Sequence, residues 1–142
     1  MKKKNCIKGF IVWLLAAGMF CSCQTINKEV VPGELRTEYL SGPIGLDTPS
    51  PRFTWNFSPS QKEFSQSYYQ IQVATSAGLL EEGKADVWNS DKQEGTLPFA
   101  RYTGTTPLES HRMYYWNVTV WDASGRKTST SQTSTFEMAK IN

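Results

Sequence analysis

The stretch MYYWNVTVWDASG at residues 113–125 constrains the fold more than any other part of the chain. Large apolar side chains occupy every second position in it: Tyr114, Trp116, Val118 and Val120. Strict alternation of aromatic and β-branched residues with polar ones predicts a β-strand with one buried face. The Asp-Ala-Ser-Gly that follows is typical of a turn. Because so bulky a face needs a second layer to cover it, the stretch predicts a sheet packed against another sheet.

Similar patterns recur through residues 34–138. Two more long alternating segments lie at residues 52–57, with Trp55 on the apolar face, and at residues 66–75. Shorter strand patterns occupy residues 34–40, 87–90, 99–102 and 128–138. About seven short strands separated by turn residues predict an all-β fold: an antiparallel two-sheet β-sandwich of the immunoglobulin or fibronectin type III kind, placed after an N-terminal signal segment.

Three aromatic residues are predicted to form the centre of the core: Trp55, Tyr114 and Trp116. Trp55 is expected to pack across the gap between the sheets against Trp116. Tyr114 follows Leu108 by six residues at the entry to the central strand. This is the position of a tyrosine corner, in which the hydroxyl group bonds to the preceding loop.

The first 22 residues are predicted to be a lipoprotein-type signal peptide. Three lysines at residues 2–4 precede a continuous apolar run of 12 residues at 9–20. A membrane-spanning helix needs roughly 20 apolar residues, so this run is too short and is typical of an export signal instead. The remaining predicted boundaries are a linker at residues 23–33, the β-sandwich at residues 34–138 and a tail at residues 139–142.

Two cysteines mark the end of the signal segment. Cys23 follows the small residue Ser22, which suits cleavage before a lipid-modified cysteine, so Cys23 is the predicted lipidation site. Cys21 follows Phe20 and is the alternative site, and plain secretion without a lipid is a third interpretation. The predicted location is the cell envelope, facing the periplasm or the cell surface, with the membrane reached through the lipid anchor.

The predicted sandwich offers little for catalysis. The only histidine is His111, and all three cysteines precede residue 24, so neither a nucleophile–base pair nor a zinc site is available. Glu81 and Glu82 are adjacent and would diverge, whereas glycoside hydrolysis needs two carboxyl groups that face each other. The sequence predicts no catalytic residue, no metal ligand and no cofactor.

The charge balance of the chain bears on whether its partner could be a nucleic acid. Four of the 15 basic residues and none of the 13 acidic ones lie in the signal segment. The rest of the chain therefore carries a small negative net charge, which does not indicate a nucleic-acid partner.

Two tryptophans are candidates for contact with a sugar or with a neighbouring domain. Trp88 lies on a short predicted edge strand, and Trp121 alternates with the buried residues of the central strand. Flat exposed rings can stack on sugar faces, but they also pack beneath loops or against other domains. The sequence leaves these interpretations open.

Five segments resemble, in order, the start of bacterial α-L-rhamnosidases: LRTEYL at residues 35–40, PIGLDTPSPRFTW at 43–55, YQIQVA at 69–74, VWNS at 87–90 and YYWNVTVWD at 114–122. The resemblance implies that this stretch is the N-terminal fibronectin-type-III-like β-sandwich of that family. Hydrolysis of terminal α-L-rhamnose with inversion is carried out by a later (α/α)₆ barrel and its paired glutamates. No position here matches a catalytic residue of the family, and the sequence stops at Asn142, before such a barrel.

The resemblance implies a non-catalytic accessory module of an exported α-L-rhamnosidase, here without the catalytic domain. The implied partners are the catalytic domains of the parent enzyme, with a rhamnose-containing glycan as a further candidate. The alternative is a free-standing carbohydrate-binding surface lipoprotein, which the outward aromatic rings motivate.

Overall fold

The computed structural model describes residues 29–58 and 63–141. Within these ranges the chain forms eight strands and one short helix: β1 (Gly33–Thr37), β2 (Arg52–Asn56), β3 (Gln66–Ala74), α1 (Ala77–Glu81), β4 (Trp88–Asn89), β5 (Gln93–Glu94), β6 (Phe99–Arg101), β7 (Met113–Asp122) and β8 (Ser134–Glu137). The strands build two antiparallel sheets, so the predicted all-β two-sheet sandwich is confirmed. Among these described residues, no helix is long and apolar enough to cross a membrane.

Strand β7 is the centre of the larger sheet. That sheet has the order β4-β3-β7-β8, with β5 also paired to β3, and the smaller sheet has the order β1-β2-β6. Strands β3 and β7 pair along almost their whole length, from Gln66 opposite Asp122 to Ala74 opposite Tyr115. The stretch that dominates the sequence therefore lies between two partner strands and turns one face toward the smaller sheet.

The core lies between the inner faces of the two sheets. Its buried side chains include Phe53 and Trp55 from the smaller sheet, and Ile71, Val73, Trp116, Val118, Val120 and Phe136 from the larger one. The ring that meets Trp116 is Phe53, with centroids 4.6 Å apart, whereas Trp55 contacts Tyr69 at 5.6 Å. The expected pairing of Trp55 with Trp116 is thus replaced by one between Phe53 and Trp116. On β3, Tyr69 lies four residues before Val73, the residue paired with Trp116. The ring of β2 that lies over Trp116 is therefore Phe53, while Trp55 lies over Tyr69.

A buried glutamine fixes the indole ring of Trp55. The Nε1 atom of Trp55 donates to Oε1 of Gln66 at 2.9 Å. The Nε2 atom of Gln66 donates to the backbone oxygens of Gly95 and Leu97, both at 2.8 Å. Gln66 is 4% exposed, and its side-chain amide has partners on both its nitrogen and its oxygen, as a buried amide requires. One side chain therefore connects β2, β3 and the loop before β6.

Tyr114 forms the expected tyrosine corner. Its hydroxyl oxygen accepts a hydrogen bond from the backbone N–H of Glu109 at 2.8 Å. Its ring stacks on Phe136, with centroids 5.3 Å apart, and the residue is buried. The loop before β7 is thereby attached to the core.

The chain turns after β7 and returns along it. The carboxylate of Asp122 accepts a hydrogen bond from the backbone N–H of Ser124 at 3.0 Å, which closes the predicted turn. On the return, the hydroxyl groups of Thr128 and Ser131 accept hydrogen bonds from the backbone of β7. Regular strand geometry begins only at Ser134, later than the predicted start at residue 128, because hydroxyl groups take part of the backbone's pairing before that point.

Candidate functional site

Of the two candidate contact residues, Trp88 is used mainly inside the domain. It is half-buried and packs against the core. Its ring meets Tyr102 edge to face, with centroids 5.1 Å apart, and lies 6.2 Å from the ring of Phe53. The remaining edge of Trp88 lines a shallow surface pocket together with Phe99 and Thr103. Trp88 is therefore a packing residue with a small exposed part.

Trp121 lies on the outer face of the larger sheet and belongs to a cluster of rings and cations. Tyr68 is directly opposite it on β3. The Nζ atom of Lys92 is 4.4 Å from the Tyr68 ring centroid and 5.2 Å from that of Trp121. The Nζ atom of Lys127 is 5.7 Å from the Trp121 centroid. We call Tyr68, Lys92, Trp121 and Lys127 the Trp121 cluster. Its ring faces are occupied by ammonium groups, so a sugar would have to displace a lysine to stack there.

The residues that were considered for catalysis have other roles. His111 is exposed, with φ at +57°, and its backbone N–H donates to the oxygen of Met138 at 3.0 Å. Glu82 pairs with Lys84 at 2.8 Å on the surface, and Glu81 ends helix α1 in solvent. Within residues 29–58 and 63–141, no group of three or more His, Cys, Asp or Glu residues is placed to hold a metal ion.

A strained turn begins a nine-residue loop, residues 38–46, which the sequence did not reveal. Glu38 and Tyr39 both have positive φ, +50° and +66°. Thr37 and Leu40 exchange two backbone hydrogen bonds of 2.9 and 3.0 Å across them. This is the geometry of a type I′ turn, which normally requires Asn-Gly or a similar pair. Glu-Tyr carries no such signal, so residues 34–40 resembled one continuous strand.

An ion pair holds this turn in place. Both carboxylate oxygens of Glu38 accept hydrogen bonds from Arg52, one of them from the backbone N–H at 2.6 Å. The guanidinium carbon of Arg52 lies 4.7 Å above the ring of Tyr39. The side-chain hydrogen bond from Arg52 lowers the pKa of the Glu38 carboxyl, so the pair is ionised at neutral pH. These contacts offset the strain of two left-handed residues.

The same loop carries large apolar side chains into solvent. Tyr39 is 53% exposed, Leu40 57% and Ile44 76%. The second half of the loop is fixed to strand β8, since the oxygen of Pro43 accepts from Glu137 N–H at 2.9 Å, and Leu46 N–H donates to the oxygen of Glu137 at 2.9 Å. The exposed side chains are therefore displayed on a backbone that is anchored at both ends.

The predicted lipidation site lies outside the described residues. The described residues begin at residue 29, so Cys23, its alternative Cys21 and the signal segment at residues 1–22 remain sequence predictions.

Comparison with known proteins identifies related sequences along nearly the whole described chain. The family model described as "Rha78A-like, N-terminal immunoglobulin domain" matches residues 32–142. An α-L-rhamnosidase of Formosa agariphila is 35% identical over 133 residues, covering 90% of this chain and 14% of that protein. An α-L-rhamnosidase of Streptomyces avermitilis is 38% identical over 101 residues, covering 70% of this chain and 10% of that protein. The chain thus spans only a small part of the length of these relatives.

Solved structures give the same result. The α-L-rhamnosidase from Dictyoglumus thermophilum aligns with a TM-score of 0.73 and 30% identity, over 78% of this chain and 12% of that one. The S. avermitilis α-L-rhamnosidase, in a crystal structure with L-rhamnose, aligns with a TM-score of 0.67 and 33% identity, over 78% of this chain and 10% of that one. By sequence and by fold, this chain therefore belongs to the Rha78A-like N-terminal immunoglobulin domains, the family of β-sandwiches found in α-L-rhamnosidases.

Proposed function

We propose that this chain is a non-catalytic accessory module that packs against and positions the catalytic domains of an exported α-L-rhamnosidase. The observation that carries the proposal is the family match over residues 32–142, combined with relatives of which the chain covers 10–15%. The described residues are in keeping with it: the backbone N–H of His111 donates to Met138, and the carboxylate of Glu82 pairs with Lys84 at the surface. Terminal α-L-rhamnose is the substrate of the parent enzyme under this proposal.

A domain exchange tests the accessory role. Three forms of the F. agariphila relative are compared: the intact enzyme, one lacking the segment that matches this chain, and a chimera carrying residues 32–142 of this chain in its place. The truncated form is expected to lose thermal stability and activity on an aryl α-L-rhamnoside, and the chimera is expected to regain both. A chimera no better than the truncated form would refute the accessory role, as would hydrolysis of the rhamnoside by this chain alone.

The location is a separate part of the proposal. The lysines, the apolar run and Cys23 support export and a lipid anchor at the membrane. Metabolic labelling with a palmitate analogue is expected to mark the chain and to fail in Cys23→Ala. Label that persists in Cys23→Ala but disappears in Cys21→Ala would move the site, and no label on the unsubstituted chain would leave plain secretion.

A carbohydrate-binding lipoprotein is the second candidate, and the side-by-side placement of Tyr68 and Trp121 favours it. Titration of the chain with a rhamnose-rich polysaccharide would then change the tryptophan fluorescence, and Trp121→Ala would abolish the change. An unchanged spectrum would count against binding. The accessory role is preferred, because lysines cover the rings of the Trp121 cluster.

A further inference from the structure

Exposed apolar side chains are concentrated at one end of this sandwich. Among the described residues, six large hydrophobic side chains are exposed: Tyr39, Leu40, Ile44, Leu97, Phe99 and Met113. Three of the six lie on the loop at residues 38–46. A fourth, Met113, is paired with Glu137, whose backbone N–H is bound to the oxygen of Pro43 in the same loop. Four of these six side chains therefore lie on this loop or next to the strand end to which it is bonded.

The backbone of the loop that exposes these side chains is strained at Glu38 and Tyr39. A type I′ turn built from Glu38 and Tyr39 is strained, and such strain persists only where the surrounding structure enforces it. Here the Arg52 guanidinium and backbone enforce it. Strain of this kind concentrates at functional sites. The turn leaves Tyr39 53% exposed and Leu40 57% exposed, with the Arg52 guanidinium over the Tyr39 ring.

The C-terminal end of the described chain leaves the sandwich beside this loop. The N–H of Ala139 donates to the oxygen of Leu46 at 2.7 Å. The N–H of Ile141 donates to Oγ of Ser110 at 2.9 Å. In the related enzymes the matching domain is N-terminal and the match covers 10–15% of the protein, so the bulk of those chains continues from this end.

We infer that Tyr39, Leu40 and Ile44 form the docking surface for the domain that follows this sandwich in a full-length α-L-rhamnosidase. The inference rests on the proposed accessory function and adds the place where docking occurs. The occupant is an apolar patch on that next domain, which buries the three side chains against a loop already rigid before contact. A preorganised surface loses little conformational entropy on binding, which suits a domain that positions another.

The test uses the F. agariphila chimera and a matched pair of surface changes. One variant carries Leu40→Ser and Ile44→Ser, and the control carries Leu97→Ser. Leu97 is also exposed, at 70%, but it lies far from the loop. Its backbone oxygen accepts a hydrogen bond from Gln66, which pairs with Asp122 at the end of β7 opposite Met113. In the isolated full chain, all three changes are expected to leave the thermal midpoint almost unchanged, because the side chains are in solvent.

In the chimera, the double serine variant is expected to increase the rate of proteolysis at the junction after residue 141 by at least about tenfold, because two aliphatic side chains lose their burial. The Leu97→Ser chimera is expected to match its parent. Equal cleavage of the double variant and the parent, in a chimera that is otherwise stable and active, would overturn the docking surface and leave the accessory role intact. A chimera that never regains stability would refute the accessory role and this inference together.

Discussion

Gln66 offers a sharp test of the core, because one buried amide serves three elements. In Gln66→Leu, the Trp55 indole N–H loses its only acceptor in a buried site, which costs about 1–3 kcal/mol. The oxygens of Gly95 and Leu97 also lose their side-chain donor, but water can reach that loop and offset much of this loss. We expect the free energy of unfolding to fall by about 2–4 kcal/mol, out of about 5–15 for a domain of this size.

The measurement is urea unfolding followed by tryptophan fluorescence, with Gln70→Leu as the control. Gln70 lies on the same strand, and its side chain bonds only to Asn89 at the surface. The control is expected to change stability by less than about 0.5 kcal/mol. Equal losses in the two variants, or no loss in Gln66→Leu, would refute the central role assigned to the buried amide.

A second substitution, Gln66→Glu, tests hydrogen bonding separately from packing. The side chain keeps its shape, but a carboxyl oxygen replaces the amide nitrogen that donates the hydrogen bonds. The introduced carboxylate would face the two oxygens of Gly95 and Leu97, and burial would raise its pKa in the folded state above the unfolded value of about 4.3. Protonated, the carboxyl can donate to one of those oxygens. Relative to that of the unsubstituted chain, the free energy of unfolding of the variant should therefore be greatest below about pH 4. It should fall as the pH rises toward the folded-state pKa. A stability difference independent of pH would contradict this account.

Three further changes test other parts of the sandwich. Trp116→Ala is expected to cost about 3–5 kcal/mol, because its ring is fully buried; a urea midpoint that barely moves would contradict the inward face. Tyr114→Phe removes the acceptor for the Glu109 N–H and should cost about 0.5–1.5 kcal/mol in the same assay. Arg52 lowers the Glu38 pKa from its ordinary value of 4.5, so the stability from this pair is present above pH 4.5 and lost as the pH falls through the folded-state pKa. Glu38→Gln should therefore show a smaller loss on acidification, and an identical pH profile would exclude a role for the pair.

The periodic parts of the fold were predictable, and the parts set by distant residues were not. Alternation in β7 identified its buried face because a strand exposes every second side chain to one layer. Periodicity does not fix how two sheets are shifted relative to each other, so Phe53, and not Trp55, meets Trp116.

The candidate surface was less predictable than the core. The type I′ turn at Glu38 and Tyr39 depends on Arg52, 14 residues away from Glu38, and no local sequence signal reports such a partner. Likewise, the outward position of Trp121 followed from alternation, but Lys92 reaches its ring from a different loop. Sequence patterns gave the direction of a side chain and could not give its neighbours.

The pairing of residues 43–46 with β8 has a consequence for the molecule in a crowded environment. An outermost strand normally offers a row of free backbone groups that another chain can extend into an aggregate. Here the Glu137 N–H and oxygen are already bonded to Pro43 and Leu46. An incoming strand can pair with β8 at this point only if residues 43–46 first detach. The chain itself therefore protects this edge of the sheet from polymerisation.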